Sequence, residues 1–299
     1  HHIIDHVIWK LHHLQRMISI LNNARRQAAS GAGGASVNND FVFEVDTTNA
    51  GSASDTMVLP LISSGIYNFT VDWGDASTDN ITAYNQSEVT HIYTSSGVKT
   101  ITITGDISGF KFANGGDKLK MLDVSNWGTL DINDRHSFRG CSNMDMTATD
   151  APTFSTTDLS YMFNNTGLTS ADFSAFGANF LANTSLERFL YSNTFTGSLN
   201  GVVNTNVINV KNAFSSQTLV SADWDTFDTS AITSWTEMGR GNAAYDGDVS
   251  GWTVNGSLFG VFNQNGAFSG DGVSTWVIGG MTDGTNLFAN CTLSTANYD

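Results

Sequence analysis

The chain has 299 residues, of which 40% are hydrophobic and 14% charged, and its net charge is −15. This composition is sufficient for packed cores in about two domains. Residues 1–29 carry +3, which leaves −18 on residues 30–299. An acidic body repels phosphate backbones, so nucleic-acid binding is disfavoured. No run of about 18 apolar residues is present, so we expect no membrane span.

Residues 1–29 predict an N-terminal helix that joins copies of the chain or docks on a larger assembly. Apolar residues follow alternating three- and four-residue steps, as in a heptad seam. The seam residues are Ile4, Val7, Leu11, Leu14, Ile18 and Leu21. Fewer than three heptads are present, so a helix packed on its own or a partner domain remains an alternative. Residues 30–39 are rich in Gly, Ala and Ser and predict a flexible linker.

Residues 40–112 alternate apolar and polar side chains in short runs with turn residues between them, which predicts a β-sandwich. Residues 71–75 read Val-Asp-Trp-Gly-Asp, and residues 90–93 read Thr-His-Ile-Tyr. These segments resemble the PKD-like immunoglobulin-like domains. The resemblance implies a spacer or binding module of an extracellular protein, with structural roles for Trp73, Asp75 and His91.

Residues 115–299 contain an internal repeat. Apolar anchors recur at spacings of 25, 27, 24, 24, 24 and 26 residues. The anchors are Phe138, Phe163, Leu190, Phe214, Met238, Phe262 and Phe288. A period of 24–27 lies within the leucine-rich-repeat range, so the spacing predicts a solenoid of about seven units with these anchors in its core.

The amino-acid sequences of the repeats resemble those of the BspA-like leucine-rich-repeat surface proteins. Residues 122–127 read Leu-Asp-Val-Ser-Asn-Trp, residues 159–163 read Leu-Ser-Tyr-Met-Phe, and residues 222–227 read Ala-Asp-Trp-Asp-Thr-Phe. The resemblance implies a bacterial surface adhesin. The predicted fold class is therefore mainly β: an N-terminal helix, an immunoglobulin-like sandwich and a leucine-rich-repeat solenoid. Because the last unit lacks a polar cap, we expect either residues beyond Asp299 or a second chain over this end.

No catalytic arrangement is recognisable, and we predict that the protein is not an enzyme. The chain has four Glu residues, no Gly-x-Ser-x-Gly motif and no phosphate-binding loop. Cys141 and Cys291 lie six repeats apart in the same column, beyond disulfide reach, and are expected to be buried free thiols.

We expect no metal or other cofactor. His2, His6 and His13 could share a helical face, but the heptad seam explains that helix without a metal. Calcium remains an alternative at Asp72 and Asp75 or in the loop 246–248, whose carboxylates could supply oxygen ligands.

These features together predict a non-enzymatic attachment protein of a virion or cell surface, of the phage-fibre or receptor-binding type. The repeats would be presented to a surface glycan or protein, and several weak contacts from a homo-oligomer would add up. The expected location is extracellular. Two alternatives stay open: an architectural subunit, such as a capsid decoration or filament protein, and a bacterial surface adhesin.

Overall fold

The computed structural model describes residues 38–216 and 223–295, and these residues are mainly β. The strands are β1 (Phe41–Asp46), β2 (Thr56–Val58), β3 (Tyr67–Asp72), β4 (Thr78–Ile81), β5 (Thr90–Ile92), β6 (Val98–Ser108), β7 (Met121–Asn126), β8 (Leu130–Ile132), β9 (Asp145–Met146), β10 (Thr153–Phe154), β11 (Thr184–Ser185), β12 (Val207–Asn209), β13 (Gly256–Ser257) and β14 (Met281–Asp283). Short 3₁₀ turns lie at Ser87–Val89, Lys118–Lys120, Gly177–Asn179, Asp223–Thr226, Val273–Thr275 and Ile278–Gly280.

The largest sheet has eight strands and is built around β6. Strand β6 pairs antiparallel with β1, where Phe41 faces Ile103, and with β3, where Val71 faces Ile103. The order β10-β8-β6-β1-β7-β9 forms the main path, β3 and β4 extend from β6, and β2 pairs separately with β5. Side chains of β1 and β3 alternate between buried and less buried positions, as their two-residue periodicity predicts.

The same sheet and core include residues on both sides of the predicted boundary at 112–115. Strands β7 to β10 lie beyond this boundary but join the sheet of β1 and β6. Phe41 stacks on Trp127 with ring centroids 6.1 Å apart, and Phe110 contacts Phe138 at 5.8 Å. The two regions therefore share one hydrophobic core.

A buried ion pair just beyond the boundary makes a second contact between these regions, through its hydrogen bonds to residues 52–58. Lys120 is 0% exposed and Asp117 2% exposed, with Nζ and Oδ1 3.8 Å apart. Lys120 Nζ donates hydrogen bonds to the carbonyl oxygens of Ala53 and Thr56 at 2.8 and 2.7 Å. Asp117 accepts hydrogen bonds from the backbone N–H of Ser52 and Val58. The pair thus holds the loop between β1 and β2 against the start of β7.

Residues 136–290 contain seven five-residue segments that begin and end with left-handed backbone. These segments, which we call the turn ladder, are 136–140, 161–165, 188–192, 212–216, 237–241, 260–264 and 286–290. The first residues have φ values between 51° and 68°, and the last residues between 54° and 82°. The third N–H of each of the first six segments donates to the second carbonyl of the next, at 2.9 to 3.1 Å.

The predicted fold class is wrong in its finer parts. A leucine-rich-repeat solenoid is not found in the described residues, because a left-handed residue cannot belong to a strand and each segment contains two. Parallel pairing from β7 onward is limited to ladders of two residue pairs and to isolated bridges. The described residues also contain no helix of seven or more residues. The predicted helix over 1–29 and most of the linker over 30–39 lie outside the described residues.

Six of the seven predicted core anchors are fully buried, and Phe288 is half-buried. Met238, however, does not occupy the position of the other six. Phe138, Phe163, Leu190, Phe214, Phe262 and Phe288 are the third residues of their segments, and Gly239 is the third residue of 237–241. The ring of Trp224 fills the missing space, since a Cβ at residue 239 would lie 2.0 Å from Trp224 Cη2.

Candidate functional site

One face of the turn ladder collects positive charge on an otherwise acidic chain. Residues 30–299 contain nine Lys and Arg residues, and seven of them lie in or beside the first segments of the ladder. These seven are Lys111, Lys118, Arg135, Arg139, Arg188, Lys211 and Arg240. The remaining two are the buried Lys120 and Lys99, whose Nζ lies 5.0 Å from the centroid of the Tyr93 ring.

Tyr161, the first residue of its segment, is the centre of this face. The guanidinium carbon of Arg139, from the preceding segment, lies 5.0 Å from the Tyr161 ring centroid. The guanidinium carbon of Arg188, from the following segment, lies 5.3 Å from the same centroid and 5.4 Å from that of Tyr191. The Arg188 Nη1 also donates a hydrogen bond to Tyr161 Oη at 2.8 Å, and His136 contacts the ring edge-on. We call these five residues the arginine–tyrosine cluster.

The two arginines of the cluster differ from four nearby cations in having no carboxylate partner among the described residues. The nearby cations Lys111, Arg135, Lys211 and Arg240 each have one, namely Asp134, Asp158, Glu187 and Glu237, at 2.7 to 3.9 Å. Arg139 and Arg188 instead contact aromatic rings. The buried Nε of Arg188 has no hydrogen-bond partner in the described part of the chain. The cluster therefore carries two guanidinium groups whose charge is not neutralised.

Three residues of the cluster have left-handed backbone. His136, Tyr161 and Arg188 have φ values of 68°, 59° and 53°. Such conformations cost a non-glycine residue about 1–2 kcal/mol. Gly260 occupies the equivalent position of another segment at 62°, so glycine fits there without that cost. The first residues of the other segments adopt the same conformation, so this cost belongs to the turn ladder as a whole.

A second row of side chains runs beside the cluster. The last residues of the segments include Asn165, Ser192, Ser216, Gln264 and Asn290, and all five are exposed. They are uncharged hydrogen-bonding groups. The face therefore combines positive charges with a parallel row of amides and hydroxyls.

The positive surroundings also act on His136. Burial lowers its pKa, and the charges of Arg135, Arg139 and Lys111 lower it further, while Asp134 raises it. A depressed histidine pKa means that the unfolded chain binds the proton more readily. Its contribution to stability is therefore lost as the pH falls below the ordinary value of about 6.5 and through the folded pKa.

We expect His136 to titrate below the ordinary histidine pKa and Arg139→Gln to move that pKa upward, because one repelling charge is removed. An NMR titration that follows the imidazole C–H signals measures both values. A His136 pKa that is unchanged in the variant would show that Arg139 exerts no field at the ring.

The Trp73, Asp75 and His91 side chains form a second polar group, in the β-sheet region. His91 Nε2 lies 2.9 Å from Asp75 Oδ2, and the His91 ring stacks on Trp73 with centroids 4.7 Å apart. Burial raises the Asp75 pKa, but hydrogen bonds from Ser77 and His91 outweigh it, so the pKa falls to about 2. Tyr93 Oη donates to the Trp73 carbonyl at 3.1 Å, and burial raises the Tyr93 pKa. Each polar group has an internal partner, which indicates a structural role.

The carboxylates considered for calcium accept hydrogen bonds from backbone N–H groups. Asp72 Oδ1 accepts a hydrogen bond from Gly74 N–H, Asp246 Oδ1 from Ser269 N–H and Asp248 Oδ1 from Ser250 N–H, at 2.7 to 2.9 Å. No group of three or more His, Cys, Asp and Glu residues suited to a metal is found in the described ranges. The set His2, His6 and His13 lies outside those ranges, as do the seam residues Ile4 to Leu21.

The two cysteines are free thiols. Cys141 is fully buried, and burial raises its pKa well above the ordinary value. Cys291 is half-buried, with a pKa raised by burial, and its Sγ donates to the Phe262 carbonyl at 3.0 Å.

Sequence reasoning did not find the arginine–tyrosine cluster. Its members lie in three different segments, 136–140, 161–165 and 188–192. The repeat spacing could have aligned these segments, but the alternation of a strand predicts the wrong set of outward side chains. Knowledge of the left-handed turns was needed to place Arg139, Tyr161 and Arg188 together.

The described residues thus form a mainly β protein whose C-terminal part is a series of hydrogen-bonded turns. A family model described as "Mycoplasma protein of unknown function, DUF285" matches residues 108–224 and, with an overlap, residues 184–299. These matches cover more than half of the chain, so the protein belongs to this family. No curated protein and no solved structure matches the chain. No helix of the described ranges is both long and apolar enough to cross a membrane.

Proposed function

We propose that the protein is a non-enzymatic attachment protein of a virion or cell surface, which presents the turn ladder to a glycan or protein partner. The observation that carries this proposal is the arginine–tyrosine cluster, where Arg139 and Arg188 have no carboxylate partner within the described ranges and Tyr161 lies between them. Arg and Tyr are the residue types that dominate recognition surfaces. The cluster offers charge and hydrogen bonds but contains no paired nucleophile and base.

The rest of the chain supports the same role. The sequence resemblances to PKD-like domains and to BspA-like surface proteins favour an extracellular location. The shared sheet and the buried Lys120 and Asp117 pair make the β-sheet region a firm support for the ladder. Several copies joined through residues 1–29, or docked on a larger assembly, would strengthen weak single contacts.

Two measurements on the full-length protein test this function. We expect the labelled protein to bind a subset of glycans or purified surface proteins on an immobilised array, and light scattering at several concentrations to give a discrete oligomer. The variant Tyr161→Ala is expected to weaken array binding at least tenfold, because both guanidinium contacts depend on this ring. The matched variant Tyr84→Ala removes an exposed tyrosine of the β-sheet region and is expected to bind normally.

The proposal would be overturned if the mass from light scattering kept increasing with concentration and nothing bound on the array. That result would favour the architectural subunit. Turnover of an arrayed glycan would overturn its non-enzymatic part.

A further inference from the structure

We infer that the arginine–tyrosine cluster is a binding site for an extended acidic polysaccharide. This inference deepens the proposed function and rests on it. It commits the partner to one chemical class, polymers of sugars that carry carboxylate or sulfate groups at intervals.

The charge of the site requires an anionic ligand. Arg139 and Arg188 lie within 5.0 and 5.3 Å of one ring centroid, so their guanidinium carbons are no more than about 10 Å apart. Two unneutralised cations this close repel each other, and an anion bound beside both reduces that repulsion. The planar guanidinium group binds carboxylate and sulfate-type oxygens through paired N–H donors.

The extent of the positive face favours a polymer over a small anion. The cations without a carboxylate partner among the described residues, Lys118, Arg139 and Arg188, are spread along two steps of hydrogen-bonded backbone. With roughly 4.8 Å between hydrogen-bonded neighbours, this row is on the order of 10 Å long. A single carboxylate would engage one site of such a row. A chain with repeated anionic groups engages several at once.

The spacing of charges favours a polysaccharide over a nucleic acid. Four carboxylates, Asp134, Asp158, Glu187 and Glu237, are interspersed among the cations of this face. A nucleic acid carries a phosphate at every nucleotide and would meet these carboxylates, and the chain as a whole is strongly acidic. In an acidic polysaccharide such as hyaluronate, an uncharged sugar unit separates successive carboxylates. The alternating charges of the face suit that arrangement.

The composition of the face also favours sugars over an acidic peptide. A peptide added as a strand needs free backbone N–H and carbonyl groups, but the ladder uses these groups between its own segments. Beside the cations lies the exposed row of Asn165, Ser192, Ser216 and Gln264. Amides and hydroxyls of this kind hydrogen-bond to sugar hydroxyls. They provide no apolar pocket for peptide side chains.

The test uses chondroitin sulfate as the probe, on a sensor surface, with full-length protein in solution. Hyaluronate distinguishes carboxylate from sulfate recognition, neutral dextran controls for sugar alone, and poly-L-glutamate and single-stranded DNA represent the other polymer classes. We expect saturable binding to chondroitin sulfate or hyaluronate that weakens as salt is raised, and no binding to dextran.

The decisive variant is Arg139→Gln with Arg188→Gln, which we expect to weaken polysaccharide binding at least tenfold. Arg240→Gln is the matched control, since that guanidinium is already paired with Glu237 at 2.7 Å, and a loss below threefold is expected. Arg188→Gly is a second variant that suits the left-handed backbone and keeps the fold, and it is also expected to weaken binding. Asn286→Gly, at the equivalent exposed position of the last segment, controls for the glycine itself.

Unchanged polysaccharide affinity in the double variant would overturn the site. Tighter binding of poly-L-glutamate or of DNA than of both acidic polysaccharides would overturn the ligand class. If neither polysaccharide binds while the array experiment identifies a neutral glycan or a protein, this inference fails and the attachment function stands. If the array is also negative, both fail.

Discussion

Lys120→Met is expected to lower the free energy of unfolding by about 3–5 kcal/mol, because it leaves the Asp117 carboxylate buried without its counter-charge. Lys120 is 0% exposed, and its ammonium is bound by carbonyl oxygens of the loop between β1 and β2. Methionine fills similar volume, so the loss arises from charge and hydrogen bonding and not from a cavity. Denaturant unfolding followed by tryptophan fluorescence measures the change.

Lys118→Met is the matched control, two residues earlier in the same 3₁₀ turn. Its ammonium is partly exposed, so a change below about 1 kcal/mol is expected. The double variant Lys120→Met with Asp117→Asn removes the stranded charge and is expected to recover part of the loss. Equal effects for Lys118→Met and Lys120→Met would show that the buried pair does not hold the two regions together.

Trp224→Ala is expected to destabilise the protein by about 3–5 kcal/mol, the usual range for removal of a buried tryptophan. The ring is 0% exposed, stacks on Tyr245 with centroids 4.3 Å apart, and lies 6.3 Å from Phe214 and 6.2 Å from Phe262. It replaces the anchor that Gly239 lacks. Its removal therefore leaves a cavity inside the ladder and not only at its surface.

A second substitution tests this interpretation. Gly239→Leu alone is expected to be destabilising, by about 1–3 kcal/mol, because the new side chain meets the Trp224 ring. In the Trp224→Ala background, the same leucine would occupy the vacated space and recover about 1.5 kcal/mol or more. Chemical denaturation of the four proteins gives the coupling. If the losses of unfolding free energy from the two substitutions were additive, the Trp224 ring would not take the place of an anchor side chain at residue 239.

The hydrophobic spacing predicted the mainly β character and the burial of most anchors. It could predict little of the ladder's backbone, because an apolar residue every 24 to 27 positions is compatible with a strand or with a turn. His136, Tyr161 and Arg188 have left-handed backbone, but none of them is a glycine, so the sequence does not mark these positions as turns. For this reason the predicted solenoid was wrong, and the register slipped by one at Met238.

The candidate site was hidden for a related reason. Arg139 and Arg188 are 49 positions apart, and their contact through Tyr161 depends on which side chains each turn exposes. Asp117 and Lys120 likewise lie in a polar, turn-rich stretch, where charged residues are ordinarily exposed. Their burial follows from the loop at residues 52–58, which covers them.

The most direct test of the account is an NMR titration of arginine side-chain Nε–Hε signals in the full-length protein with chondroitin sulfate. We expect the signals of Arg139 and Arg188 to move first and to saturate together, while that of Arg240, already paired with Glu237, moves little. Equal, unsaturable shifts of all arginine signals, or shifts confined to arginines outside the turn ladder, would contradict it.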